Sequence, residues 1–397
     1  MKSGRFGALS LPLLLTLSAC QAPDGFGDSR SGLSSVADFG SNPGRLKMYH
    51  SVPAGLPAGR PLVTLLHGCG DTADNFASAW AEWTELSVAH RFALLFPEQQ
   101  PENNVGGVSC FNWFESGNHE SGEGENLSIR QMVEEMQSQF STDANRSYVV
   151  GFSAGGAAAV NVLATEPALF AAGVAIAGVP FLCATSIFDA FTCLSGAITN
   201  TPEDWAAFVT DVDPTYSGAR PRLSTWQGAT DGEVAESNQA ELIEQWTALH
   251  GIDATADATE SILGGTRTAY AALNGRVMVE AYSFANVGHE IEVGWASKMA
   301  EFFELTGASP TDAGVPVELD AGFDDSGFGD SGATPDAADS PDATAVGDAQ
   351  IRADARDGAS ISEPKDSGCG CRHSSSNSPL AALLALSLLI RRRSWRG

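Results

Sequence analysis

Ser147-Tyr148-Val149-Val150-Gly151-Phe152-Ser153-Ala154-Gly155-Gly156 is the stretch on which the fold turns. Ser147 to Val150 reads as a strand, Gly151 opens a sharp turn, and the small-residue run Ala154 to Ala164 reads as a helix packed closely against a sheet. The same grammar continues on both sides. Upstream, Pro61 to His67 (PLVTLLH) is a continuous apolar run, as expected of a strand buried on both faces. Ala73 to His90 carries Phe76, Trp80, Trp83 and Leu86 at helical spacing, Phe92 to Phe96 is a strand stopped by Pro97, and Leu127 to Phe140 is an amphipathic helix. Downstream come strands at Phe170 to Ala177, Arg222 to Trp226 and Arg276 to Phe284, with helices at Glu236 to His250 and Glu290 to Leu305. Strand followed by helix, repeated, predicts an α/β fold with a mainly parallel, doubly wound sheet. One folded domain is expected over residues 38–307.

The flanks read differently. Residues 1–20 have the form of a signal peptide: Lys2 and Arg5 give a basic start, and Leu11 to Ala19 is an apolar run too short to span a bilayer. It ends in Leu17-Ser18-Ala19-Cys20, which resembles a bacterial lipobox and implies lipidation of Cys20; ordinary cleavage nearby is the alternative. Residues 21–37 read as a linker. Residues 308–368 are rich in Asp, Ala, Gly, Ser and Pro, with too few large apolar side chains to offset chain entropy, and are expected to be disordered. Thr311 to Asp366 holds 14 acidic and 3 basic residues, so much of the formal charge of −27 sits on this stalk. Nucleic acid is not expected as a partner, since phosphate neutralisation needs clustered Lys and Arg. Residues 369–397 combine Cys369-Gly370-Cys371, a 12-residue apolar run from Pro379 to Ile390, and Arg391-Arg392-Arg393. This pattern resembles the C-terminal sorting signal of myxobacterial surface proteins. The chain is therefore expected to be exported, to the cell surface or beyond, with membrane contact only through a lipid or the C-terminal segment.

Export permits disulfides among Cys69, Cys110, Cys183 and Cys193. Four cysteines allow three pairings, and sequence does not choose among them. Proximity favours Cys183 with Cys193, which leaves Cys69 with Cys110. No Cys and His spacing resembles a metal site, and no cofactor is expected.

Gly151-Phe152-Ser153-Ala154-Gly155 matches G-x-S-x-G. The pattern is short enough to arise by chance, so its setting between a strand and a helix carries the weight. There it resembles the nucleophile elbow of α/β-hydrolases, in which an acid and then a histidine follow the serine along the chain. Asp231, in Gly228-Ala229-Thr230-Asp231-Gly232, and His289, in Val287-Gly288-His289-Glu290, stand at the carboxyl ends of predicted strands, where sites collect in open parallel sheets. The bland reading makes each a helix or turn cap. Asp213 and Glu290 are rival acids without the glycine-flanked setting of Asp231. Leu66-His67-Gly68-Cys69-Gly70 ends the first buried strand. An oxyanion needs two preorganised N–H donors, expected here from Cys69 and Ala154. His67 is then structural, and a thiol nucleophile at Cys69 is a minor alternative.

Four blocks, Leu62 to Phe76 (LVTLLHGCGDTADNF), Cys110-Phe111-Asn112-Trp113-Phe114, Ala144 to Gly156 (ANRSYVVGFSAGG) and Ala177-Gly178-Val179-Pro180, are similar to polyhydroxybutyrate depolymerase-like esterases, relatives of feruloyl and acetylxylan esterases. The resemblance covers Asp38 to Leu305. It implies an α/β-hydrolase fold and a serine carboxylic-ester hydrolase with Ser153 as nucleophile, Asp231 as acid and His289 as base. Gln227 stands where the family often has His, and Ile291 where it often has an aromatic residue. Trp113 and Phe114 are candidates to line the substrate cleft; the alternative is a core aromatic pair. Hydrolysis of a hydroxyalkanoate polyester or its oligomers is the first reading, a feruloyl or acetylxylan esterase the second, and a non-catalytic surface-binding protein the third.

Overall fold

The computed structural model describes residues 32–104 and 107–307. The expected signal peptide with Cys20, most of the linker, the acidic stalk and the C-terminal segment lie outside the described residues. The strands are β1 Ser34–Val36, β2 Lys47–Ser51, β3 Leu62–Leu66, β4 Ala93–Glu98, β5 Ser147–Phe152, β6 Ala172–Ile176, β7 Arg222–Gly228, β8 Ala258–Ile262, β9 Gly265–Ala271 and β10 Val277–Phe284. They form one sheet in the order β1-β2-β4-β3-β5-β6-β7-β10-β9-β8. The six strands from β4 to β10 in that order run parallel, and antiparallel strands close both edges.

The helices are α1 Ala73–Ala79, α2 Glu82–His90, α3 Gly124–Phe140, α4 Ala154–Thr165, α5 Ile187–Leu194, α6 Pro202–Thr210, α7 Ser237–Leu249 and α8 Trp295–Phe302. The sheet separates two cores. Leu62, Leu66, Leu95 and Val149 face α3, α4 and α7, while Val63, Leu65, Leu94 and Val150 face α1, α2 and α8. Alternate residues of one strand thus enter opposite cores, which is why β3 is apolar at nearly every position and buried throughout. Polar caps set several helix starts. Thr72, Ser186 and Thr201 each accept from a backbone N–H in the first turn, at Asn75, Asp189 and Asp204.

Several expectations need correction. Pro97 does not stop its strand: the parallel ladder to β3 ends at Leu95, but the antiparallel ladder to β2 runs on to Glu98. A proline is tolerated where a strand is leaving one of its neighbours. The span Ala73 to His90 is two helices, broken where Trp80 leaves helical geometry (φ −117°, ψ 50°) and buries its indole. The last helix starts at Trp295, after a left-handed Gly294 (φ 89°), so Glu290 to Val293 remain in the loop that carries His289. Ser34–Val36, inside the span read as linker, forms the edge strand paired with β2.

Candidate active site

The turn between β5 and α4 holds Ser153 at φ 57° and ψ −121°, outside the comfortable regions for a side chain with a Cβ. Such a conformation costs of order 1–3 kcal/mol and persists only when its surroundings enforce it. Here they do. A Cβ at Gly151 would collide with the Gly155 carbonyl, and one at Gly155 with the carbonyls of Leu66 and His67. Glycine at both places lets the elbow close on itself and lets α4 seat against the end of β3. The Ser153 N–H donates to the Ile176 carbonyl (2.9 Å), which ties the turn to β6.

Ser153, Asp231 and His289 come from the ends of β5, β7 and β10. His289 Nε2 lies 2.9 Å from Ser153 Oγ, and His289 Nδ1 lies 2.8 Å from Asp231 Oδ2. The arrangement fits a neutral imidazole that donates from Nδ1 to the carboxylate and accepts from the serine hydroxyl. The loops bearing Asp231 and His289 are joined directly: Thr230 N–H and Oγ1–H both donate to Val287 O (3.1 and 2.7 Å). Gly228 permits this approach, because a Cβ there would strike the Val287 and Gly288 carbonyls.

The Asp231 side chain is 1% exposed. Burial alone would raise its pKa, but the hydrogen bond from His289, with the N–H groups of Val234 and Glu233 on Oδ1 (2.9 and 2.8 Å), outweighs it and holds the carboxyl below its ordinary range. Gln227 adds a donor to Oδ2 (3.3 Å) and another bond to Val234 O (3.0 Å), so this departure from the family pattern still braces the acid loop. The rivals stand apart: Asp213 bonds Thr215 in an exposed turn, and Glu290 accepts from Gly288 N–H.

The expected oxyanion donors flank the serine. Ala154 N–H lies in the first turn of α4, where no preceding helical carbonyl can take it. Cys69 and Ala154 line the same cleft as Ser153. His67 is fixed at both nitrogens: Nε2 accepts from Gln99 N–H (3.0 Å) and Nδ1 donates to Gly68 O (2.7 Å). Gly68 C=O and Cys69 N–H belong to one planar peptide, so the imidazole sets the direction of that N–H. Burial lowers the His67 pKa, which keeps this ring neutral.

The cleft has a volume of about 390 Å³. Trp113 and Phe114, packed edge to face with centroids 5.5 Å apart, form one wall, and Ile187, Phe191 and Leu194 of α5 form the other. Both disulfides brace it: Cys69–Cys110 links the loop after β3 to the Trp113 wall, and Cys183–Cys193 ties α5, which lines the cleft, to the segment before it. A thiol nucleophile at Cys69 is thereby excluded. Phe152, the residue before the serine, has its ring 4.8 Å from that of His289. Sequence reasoning missed this contact, along with the polar residues behind Trp113; an apolar residue inside G-x-S-x-G announces no partner.

A doubly wound sheet with a serine on the strand-to-helix turn defines an α/β-hydrolase. The family profile described as Esterase PHB depolymerase matches residues 47–269, and the chain belongs to this family. It is 42% identical over 257 residues to poly(3-hydroxyalkanoate) depolymerase C of Paucimonas lemoignei, a match covering 65% of this chain and 61% of that protein. It is 32% identical over 308 residues to feruloyl esterase B of Talaromyces stipitatus, covering 75% of this chain and 82% of that one. Among solved structures, an acetyl xylan esterase from Aspergillus awamori superposes with a TM-score of 0.62 at 27% identity, covering 69% of this chain and 99% of that one.

Proposed function

We propose that the protein hydrolyses carboxylic esters through an acyl-enzyme on Ser153, and that its substrate is a hydroxyalkanoate polyester or the oligomers released from one. The observation that carries the first part is the position of His289, within hydrogen-bond distance of both Ser153 Oγ and Asp231 Oδ2. In this reading Ser153 Oγ attacks the ester carbonyl while His289 takes its proton, and Asp231 stabilises the imidazolium. The Cys69 and Ala154 amides bind the oxyanion. His289 then protonates the leaving alcohol, and a water activated by the same imidazole releases the acid. Trp113 and Phe114 hold the substrate.

The polyester preference is supported by the higher identity to the depolymerase and by the apolar cleft walls. Likeness to the feruloyl and acetyl xylan esterases supports the second reading, cleavage of ester groups on plant-wall polysaccharide. Two disulfides favour an exported protein. Lipidation of Cys20 and C-terminal sorting belong to the same proposal.

The test is a substrate panel with full-length protein and Ser153→Ala: a 4-nitrophenyl acyl ester, polyhydroxybutyrate film and oligomers, methyl ferulate, and acetylated xylan. The proposal expects release from the polyester or its oligomers, lost in Ser153→Ala. Release of ferulate or acetate alone would overturn the substrate preference, and full activity in Ser153→Ala would overturn the mechanism.

A further inference from the structure

Behind the Trp113 wall lies a carboxyl group that the reaction does not use. Glu125, in the first turn of α3, is 4% exposed. Its Oε1 accepts from Asn112 Nδ2 (2.9 Å) and from Gln99 Nε2, and Asn112 N–H is shared between Oε1 (3.1 Å) and Oε2 (2.9 Å). Every group brought to its oxygens is a neutral amide. Burying a carboxylate against donors that carry no charge is costly, because no opposite charge offsets its lost hydration.

What it holds lies on both sides of the reacting serine. In one direction, Asn112 is locked at all four polar groups. Its N–H and Nδ2 bind Glu125, its carbonyl accepts from Asn118 Nδ2 (2.7 Å), and its Oδ1 accepts from Asn104 Nδ2 (2.6 Å). The next residue is Trp113, whose carbonyl is fixed by Asn161 Nδ2 (2.8 Å) and His119 Nε2 (2.9 Å). In the other direction, Gln99 bonds Glu125 through its side chain and His67 through its backbone N–H, and His67 orients the Gly68–Cys69 peptide.

We propose that Glu125 is a positioning residue: by accepting from Gln99 and Asn112 together, it sets the Trp113 wall of the cleft in register with the Cys69 N–H. This rests on the reading of that cleft as the ester site. The titratable and charged groups on the segments packed around it include Arg45 in the loop before β2, Glu115 and His119 in the 112–119 loop, Glu98 on β4, and His67. Burial pushes the Glu125 carboxyl up to about 8, Glu115 adds to the rise, and the amide donors oppose it. Both histidines are held below their ordinary value by burial and stay neutral. Deprotonation of Glu125 strengthens its acceptor bonds, so KM for a 4-nitrophenyl butyrate substrate should fall as pH rises through that region.

The experiment is the pH profile of kcat and KM for 4-nitrophenyl butyrate in the full chain, in Glu125→Gln and in Gln99→Met. Glu125→Gln turns a donor toward donors and should raise KM about tenfold or more, with a smaller change in kcat, and should abolish the KM inflection. Gln99→Met removes one donor to the carboxylate and should move the inflection to higher pH. Wild-type KM with the inflection intact in Glu125→Gln overturns the proposal. Should that variant fail to fold, an unmoved inflection in Gln99→Met overturns it alone. Activity surviving in Ser153→Ala would instead overturn the ester-site reading, so the two failures are distinguishable.

Discussion

The ring of Phe152 lies 4.8 Å from the imidazole of His289, tilted by 35°, and its edge fills the space beside Gly68, where a Cβ would come within 3.0 Å of Phe152 Cδ1. One side chain therefore touches both His289 and the loop of Gly68, and gives the imidazole a surface to rest on. Phe152→Ala leaves the triad intact but removes that surface. The expected outcome is a fall in kcat of about 10²-fold, the scale on which small misplacements act, with KM less affected. Steady-state kinetics on a 4-nitrophenyl ester check it; a wild-type kcat would deny Phe152 this role.

Asp231→Asn keeps the shape of the acid loop but removes the charge that holds the imidazole in its tautomer. A loss in kcat of about 10⁴-fold is expected, by analogy with other triads. The native carboxyl is depressed below its ordinary range. Its contribution to stability is thus present above the unfolded carboxylate pKa and lost as pH falls through the lower, folded value. Acid unfolding curves should show a weaker dependence on pH in the Asn variant, and unchanged curves would count against the paired carboxylate.

The fold was legible because buried parallel strands announce themselves: β3, β5 and β6 are apolar at nearly every position, and G-x-S-x-G sits where β5 must turn. Asp231 and His289 could be chosen by chain order because each follows a strand. The β8–β9 hairpin was not legible, since Ala258–Ile262 is almost wholly exposed and polar, with no buried face to leave a period. Helices α5 and α6 were passed over because the segment between Cys183 and Pro221 holds no strand to frame them. No motif or period marked Glu125 or Gln99; only the folded chain brings them to each other.

The disulfides stabilise by closing loops in the unfolded chain. Residues 69 and 110 are 41 apart and residues 183 and 193 are 10 apart. Removing them should cost about 4 and about 3 kcal/mol respectively in the chain-entropy model. Paired Cys→Ser variants in denaturant titrations measure this. The second pair should also raise KM, because α5 then loses its tether over the cleft; an unaltered KM would show that α5 is held by its other contacts.

Glu125 makes stability fall toward alkaline pH. Its folded value, about 8, is raised above the ordinary 4.5, so its contribution is complete below the unfolded value and is lost as pH rises through about 8. Melting temperatures measured from pH 5 to 9 should decline more steeply in the wild type than in Glu125→Gln. Parallel declines would place the carboxyl at its ordinary value.

The proposed acyl-enzyme requires that Ser153 carries the acyl group. Rapid quenching of the full-length protein with a 4-nitrophenyl ester, followed by peptide mass spectrometry, tests it most directly. An acyl adduct is expected on the peptide containing Ser153, formed at the rate of the nitrophenol burst and lost in His289→Ala. An adduct on another residue, or turnover in a protein whose Ser153 has been blocked by a fluorophosphonate, would contradict it.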